Sequence, residues 1–505
     1  MAMSGQSSYQ ARSGARVLLV QPWNFHDENV ATHQHDHAWR NGPYNIILLA
    51  TLLRQAGHDA RILDLTRRLI GHAGNVAACL DDLDTAITTF RPDILAVSFF
   101  SIHFIEVGKL VVRARQTMDR IAHRMMRVAG GIHATVSPES CVTKLGFDYA
   151  FVGEGETGIL ELASGKSPLS VRGMANRTSL KLGAPVKGVQ IADLDSLPFP
   201  DWTLVDHNFY AHPSYARLGF QRTGSLDLVM GRGCVYDCSF CAYQALSAVR
   251  FYSAEYLIEQ MLYMHSAVGV TGFYFTDSTI GNNRKVLREM CEIILRRGLE
   301  RRFIWLANIR PNQVSEEQLE LMWRAGCRYL LYGFESNSQR MLDRMNKKCS
   351  VAANEACAAL HTKLTFPYNA SMLLGYPGET EDDLLATIDF VRRHEPPSVG
   401  INWYVPLPGS PDYDSLRAQG IINTDDPEEW RRIGEVNTSR CYASMPEPRF
   451  RELYAQACHL AYSEIPARVR EKWKVAVSRF LVPEENARSM QVFKNVYSHL
   501  PSSWN

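Results

Sequence analysis

The stretch GRGCVYDCSFCAYQ (residues 231–244) carries three cysteines in the order C-x3-C-x2-C, directly after the apolar run LDLVM. Three thiols this close together point to metal or redox chemistry. A structural zinc site closes with four ligands, and no second C-x2-C pair accompanies this one. A thioredoxin-type redox pair needs two cysteines and leaves the third unexplained. A 4Fe-4S cluster held by Cys234, Cys238 and Cys241 uses all three and leaves one iron open to a substrate or cofactor. The other eight cysteines (Cys79, Cys141, Cys291, Cys327, Cys349, Cys357, Cys441 and Cys458) are scattered and read as small buried hydrophobes.

Such a loop needs a scaffold, and hydrophobic periodicity outlines one. Residues 16–155 alternate short apolar runs (RVLLVQ at 16, DARILDL at 59, DILAVSF at 93, RVAGG at 127, DYAFVG at 148) with stretches of helical spacing such as NIILLATLLRQAGH. Strand alternating with helix predicts a doubly wound, Rossmann-like parallel sheet covered on both faces. Ligands of such sheets sit at the carboxyl ends of the strands, where this chain has the long loop 21–43, SFFSIH (98–103), GGIHAT (130–135) and GEGE (153–156). Residues 156–224 have weak periodicity and the turn-rich DLDSLPFPD, and read as a linker. Six further strand–helix units follow, with strands SLDLVM, TGFYFT, FIWLAN, RYLLYGF, NASMLLGY and VGINWYV. They predict a partial (β/α)6 barrel with the cysteines at the carboxyl end of its first strand, where barrel enzymes do their chemistry.

A chain of 505 residues with 46% hydrophobic and 21% charged residues is expected to fold as two or three globular domains. Its net charge of +1, with no basic block, speaks against nucleic acid as a partner. The run NIILLATLL (45–53) is too short to span a membrane and too deep in the chain for a signal peptide. A cytoplasmic location and reduced cysteines are the expectation, with residues 1–15 a disordered polar leader.

The cysteine loop resembles the signature of the radical S-adenosylmethionine (SAM) enzymes. That resemblance implies a 4Fe-4S cluster whose open iron chelates the amino and carboxylate groups of SAM. It also implies an external one-electron reductant such as flavodoxin or ferredoxin, and a deoxyadenosyl radical that abstracts a hydrogen from a small-molecule substrate. Phe240 matches the aromatic position near the adenine, a plain core phenylalanine being the other reading. The likeness continues through GFYFTDSTIGNNR with Asp277, FIWLANIRPNQV with Arg310, CRYLLYGFESNSQRMLDRMNK with Glu335, SMLLGYPGETEDD and YVPLPGSPDYD. It implies that Asp277, Arg310 and Glu335 contact SAM; Arg310 and Glu335 suit its carboxylate and ammonium. A barrel-mouth salt bridge is the alternative for Glu335.

Upstream, LLATLLRQAGHDARILD, DILAVSFFS, VAGGIHATVSPE and DYAFVGEGE resemble the cobalamin-binding-type domain that precedes the barrel in one large radical SAM subfamily. The resemblance implies bound cobalamin, with Ser98, Gly130, Gly131, His133, Glu154 and Gly155 as expected cofactor contacts. A D-x-H-x2-G loop that would offer cobalt a histidine is missing, since in DHAWRNG (36–42) His37 directly follows Asp36. His26, His33, His35 and His37 read as solvated loop histidines. His103 and His133 either line a corrinoid pocket or are satisfied loop residues. The expected order is thus a leader (1–15), a cobalamin-binding-type Rossmann-like domain (16–155), a linker (156–224), a radical SAM partial barrel (225–415) and a mainly helical extension (416–505). The extension is expected to cap the barrel mouth, with Trp430, Cys441 and Tyr442 either lining the pocket or packing in a core.

One cluster is the consistent count. A methylthiotransferase needs three more upstream cysteines, whereas only Cys79 and Cys141 lie there. Auxiliary clusters would need cysteines beyond residue 415, where only Cys441 and Cys458 occur. The leading expectation is a cobalamin-dependent methyltransferase acting on a carbon or a phosphinate phosphorus of a small natural-product intermediate. The alternative is radical SAM oxidation, cyclisation, dehydration or rearrangement, with or without cobalamin. A non-enzymatic sensor is disfavoured because the barrel segments resemble a working SAM site.

Overall fold

The computed structural model describes residues 14–23, 42–183, 185–211, 225–245, 248–434 and 440–465. The histidine-rich loop, most of the leader and the end of the extension lie outside them. No helix among the described residues is long and apolar enough to cross a membrane.

The first sheet is built from β1 (Arg16–Gln21), β2 (Asp59–Asp64), β3 (Ile94–Ser98), β4 (Met126–Gly130), β5 (Tyr149–Phe151) and β6 (Met174–Ala175), in the order β2-β1-β3-β4-β5-β6. Its first five strands are parallel. Val17, Leu18, Leu19 and Val20 are all buried, because helices cover both faces and β1 needs an unbroken apolar run rather than an alternation. The strand order reverses between β1 and β3, which makes the crevice beyond their carboxyl ends the place for a ligand.

The sheet does not stop at residue 155. The helix Glu156–Ala163 packs back against the helix Tyr44–Gln55, and β6 pairs antiparallel with β5. A two-residue strand is too short to leave a periodic signal, so this part of the expected linker belongs to the sheet.

The second sheet comprises β7 (Ser225–Leu228), β10 (Gly272–Phe275), β11 (Ile304–Ile309), β12 (Cys327–Glu335), β13 (Tyr368–Leu374) and β14 (Ser398–Trp403); a small hairpin of β8 (Gly231–Arg232) and β9 (Arg250–Phe251) follows β7. All six strands are parallel, in the order β14-β13-β12-β11-β10-β7, and no pairing joins β7 to β14 among the described residues. This is the expected open barrel. Its helices begin where side chains can satisfy the first free N–H groups: Ser253, Asn283, Ser315, Ser350 and Thr380 all accept a capping bond, worth about 1 kcal/mol each.

Alternation along the barrel strands sorts the faces. Phe273, Phe275, Trp305, Ala307, Leu330, Tyr332, Ala370, Met372, Ile401 and Trp403 face outward into the core shared with the helices. The intervening residues face the barrel lumen. At one end Tyr274, Leu306, Tyr329 and Leu331 form a small apolar plug.

Candidate functional site

The cysteine loop is fastened at its entry, its middle and its flank. At the entry, Asp277 accepts the backbone N–H groups of Met230 (2.7 Å) and Gly231 (2.8 Å). Burial raises its carboxyl to about 7 in spite of these bonds. A Cβ on Gly231 would meet the Arg250 carbonyl at 2.5 Å, so glycine is what lets the hairpin close. In the middle, Ser239 donates its N–H to the Met345 carbonyl and accepts the N–H of Asp412, both at 3.0 Å. Its hydroxyl lies 2.7 Å from that of Tyr376, which in turn donates to the Asp412 carboxylate. On the flank, Asn346 donates to the Asp237 carbonyl at 3.0 Å.

Cys238 is buried, while Cys234 and Cys241 are half-buried. Burial pushes the Cys241 thiol up, and the neighbouring Cys238 and Cys234 add to it against the Tyr243 N–H and Lys347. Among the described residues, no three His, Cys, Asp or Glu side chains converge on a single-ion site. Each cysteine of a 4Fe-4S cluster binds a different iron, so the loop has no need to converge on one point. The donor set fits the group: three thiols on one loop, with cations beside them.

Those cations are Arg310 and Lys347. Arg310, only 5% exposed, donates Nη1–H to Cys238 Sγ at 3.4 Å and lies over the Tyr236 ring at 3.7 Å. Among the described residues its Nε and Nη2 are buried without a partner, which leaves two donors for a carboxylate. Lys347 is 4% exposed, pairs with Glu335 Oε1 at 2.7 Å and lies 5.8 Å from the Phe240 ring centroid. Glu335 sits at a register shift in β12 with φ of 65°, a left-handed conformation that costs a non-glycine residue about 1 kcal/mol or more. Glu335 thus takes part in the salt bridge named as its alternative. The Asp277 carboxylate is used on loop backbone rather than turned to a ligand.

At the carboxyl edge of the first sheet, Ser98, Gly130 and Gly131 lie together, all partly exposed. Gly131 has φ of 86°, and a Cβ there would stand 2.7 Å from the Phe99 nitrogen. His133 and Glu154 have other work. His133 is fully buried, with Nδ1 2.9 Å from the Ser101 hydroxyl and Nε2 2.8 Å from that of Ser140. Its ring is walled by Phe99, Phe104 and Trp430. Burial and nearby His103 lower its pKa to about 3. It is a satisfied core histidine with no nitrogen left for a corrinoid. Glu154 is bound by Arg250 (Nη1–Oε2 3.1 Å, with a second bond through Nη2), by Arg232 at 3.1 Å and by the Ile191 N–H at 3.1 Å. Glu156 takes the other arm of Arg232 at 2.5 Å. The GEGE turn, with Gly155 between the two acids, therefore grips the base of the cysteine loop. In the extension, Trp430 stacks on Phe104 at 3.9 Å and packs in a core. Tyr442 meets Tyr404 edge-on, and Cys441 packs against the barrel's core.

Two family models match the chain. The Radical SAM superfamily model covers residues 228–391, and the B12 binding domain model covers residues 41–163. The chain is a radical SAM enzyme with an N-terminal B12-binding domain. A 4Fe-4S cluster, SAM and cobalamin are the cofactors that go with these domains. The enzyme is 25% identical over 404 residues to an uncharacterized methyltransferase of Pyrococcus horikoshii, covering 78% of this chain and 82% of that protein. It is 24% identical over 420 residues to the anaerobic magnesium-protoporphyrin IX monomethyl ester cyclase of Cereibacter sphaeroides, covering 80% and 64% respectively. Its fold matches the radical SAM methyltransferase TsrM of Kitasatospora setae, solved with cobalamin and a 4Fe-4S cluster, at a TM-score of 0.64 and 18% identity over 93% of this chain and 90% of that one.

Several residues of this radical SAM enzyme's site escaped sequence reasoning. Lys347, Tyr236, Arg232 and Arg250 carry no motif of their own; their importance is their partners. The lumen face carries two polar pairs separated by Leu331 of β12: Tyr274 donates to Asn308 (2.9 Å) on β10 and β11, and Asn402 donates to Ser371 (2.8 Å) on β14 and β13, with Asn369 also on β13. The alternation in NASML and GIN would have shown the second pair. A cleft of about 480 Å³ lies elsewhere, lined by Arg54, Asp195, Phe199, Tyr256 and Tyr263, and contains none of the expected site residues.

Proposed function

We propose that this enzyme is a cobalamin-dependent radical SAM methyltransferase acting on a carbon or a phosphinate phosphorus of a small polar biosynthetic intermediate. One juxtaposition carries the reading. The helix Gly131–Val136, which starts at the β4 end of the first sheet, packs against the turn Ala242–Ala245 directly after Cys241. On this reading the edge proposed for cobalamin and the loop proposed for the cluster adjoin, so one substrate can reach both.

When bound, the cluster supplies an electron for reductive cleavage of SAM, and cobalamin supplies a methyl carrier. The protein's part is placement. Cys234, Cys238 and Cys241 would hold the cluster, Arg310 would take the SAM carboxylate through its two unpaired donors, and Glu335, bound at Oε1 by Lys347, would have its other carboxylate oxygen for the ammonium. Phe240 packs near the adenine. Ser98, Gly130 and Gly131 let the corrinoid approach the backbone closely. Asn308, Asn369, Ser371 and Asn402 offer hydrogen bonds but no charge, which suits hydroxyl or amide groups on the substrate. An external one-electron protein reductant feeds the cluster.

The likeness to the Cereibacter sphaeroides cyclase favours a second reading, radical oxidation or cyclisation. Anaerobic purification from a cobalamin-supplied host separates the two. About four irons and about one corrinoid per chain, with S-adenosylhomocysteine among the products, support methyl transfer. Deoxyadenosine without S-adenosylhomocysteine moves the assignment to oxidation or cyclisation. Reductive SAM cleavage surviving in a Cys234→Ala, Cys238→Ala, Cys241→Ala variant would overturn the cluster ligands themselves.

A further inference from the structure

We infer that Arg310 is a positioning residue that sets the reduction potential of the cluster through the Cys238 sulfur. This rests on the assignment of Cys234, Cys238 and Cys241 as cluster ligands. Two contacts hold the guanidinium, and a third fixes the backbone that carries it. The guanidinium's central carbon, Cζ, lies over the ring of Tyr236, a residue of the cysteine loop itself, 3.7 Å from the ring centroid. The Tyr236 hydroxyl accepts from Gln313 Nε2 at 3.2 Å, and Gln313 Oε1 accepts the backbone N–H of Arg310 at 3.4 Å. The remaining contact is the 3.4 Å bond to Cys238 Sγ.

Reduction of the cluster adds one electron to a centre that already carries three thiolates; no bond is made and no proton moves. A fixed cation donating to one of those sulfurs stabilises the added negative charge and raises the potential. Arginine suits the place because it stays protonated, is weakly hydrated and stacks on aromatic rings. Its near-complete burial keeps water from screening the effect. The two unpaired donors, Nε and Nη2, would share this charge with a bound SAM carboxylate, so the effect is largest in SAM-free enzyme.

The test is an EPR-monitored redox titration of SAM-free, reconstituted full-length enzyme, with viologen mediators, dithionite as electron donor and iron measured in each sample. At the potential where half of the wild-type clusters are reduced, Arg310→Met is expected to lower the reduced-to-oxidised ratio about tenfold, a shift of about 59 mV for one electron. Arg310→Lys keeps the charge without the guanidinium and is expected to shift less. Tyr236→Leu frees the guanidinium from its platform and is expected to shift in the same direction; it keeps the test open should Arg310→Met fail to fold. Midpoints within twofold of wild type at full iron content overturn the inference. So does loss of iron from all three variants with unchanged circular dichroism, since Arg310 would then be holding the loop together. A wild-type protein that takes up no iron would instead withdraw the cluster assignment.

Discussion

Replacing Glu154 by glutamine asks whether the GEGE turn clamps the cysteine loop. Arg232, Arg250, Glu154 and Glu156 form a closed set whose side chains are only 15%, 13%, 10% and 10% exposed. Two positive and two negative charges cancel in the wild type; Glu154→Gln leaves one buried cation uncompensated. Breaking a buried pair from one side costs about 3–5 kcal/mol. Glutamine keeps an acceptor oxygen for the Ile191 N–H, and Glu156 stays on Arg232, so the lower end, about 3 kcal/mol, is expected. Urea denaturation at pH 7 reads this loss as an earlier first transition. Arg250→Met on the same background restores the charge balance, and the double variant is expected to fall short of the summed losses by about 1.5 kcal/mol or more. Burial alone would raise the Glu154 carboxyl, but Arg250 and Arg232 outweigh it and hold it below the usual carboxylate range. A lowered folded pKa means that the clamp's stabilisation is present above an unfolded pKa of about 4.3 and lost as pH falls through the acid range below it. The gap between wild type and variant should therefore close in acid. A Glu154→Gln midpoint within about 0.5 kcal/mol of wild type, or strict additivity with Arg250→Met, would refute the clamp.

Three further outcomes are expected. Buried His133 titrates near 3 against about 6.5 unfolded, so stability is full above pH 6.5 and falls by about 1.4 kcal/mol per pH unit below it; His133→Gln should flatten this slope in denaturation series from pH 7 to pH 5. Gly131→Ala forces a Cβ to within 2.7 Å of the Phe99 nitrogen at φ of 86°, and should cost about 2 kcal/mol or more and weaken corrinoid binding measured by visible absorbance. The Asn402 amide hydrogens are taken by Ser371 and the Met372 carbonyl, so Asn402→Leu removes a lumen acceptor, its Oδ1, without touching the cysteine loop, and should raise the substrate KM about tenfold, the effect of one hydrogen bond of about 1.4 kcal/mol, with iron content unchanged.

The sequence by itself determined the architecture and the centre of the site. Parallel strands buried on both faces must be apolar throughout, and helices between them must show a 3.6-residue period, so RVLLVQ or TEDDLLATIDFVRR declares its element within a few residues. The three cysteines are legible for the same reason: all of them lie within eight consecutive positions, 234–241. What tertiary structure alone decided is the partner of each charged or polar side chain. Glu154 looked like a ligand-edge acid until Arg250, 96 residues away, closed on it. Asp277 had the position of a cofactor contact but meets backbone N–H groups 46 and 47 residues upstream. His133 stood on the right loop, yet serines on either side of it in the chain take both of its nitrogens. Lys347, which closes the segment CRYLLYGFESNSQRMLDRMNK without a role there, pairs with Glu335 12 residues upstream, at a register shift in β12. Hydrophobic period is a property of neighbours in the chain, whereas the compensation of a buried charge depends on whichever distant group folding brings within about 3 Å.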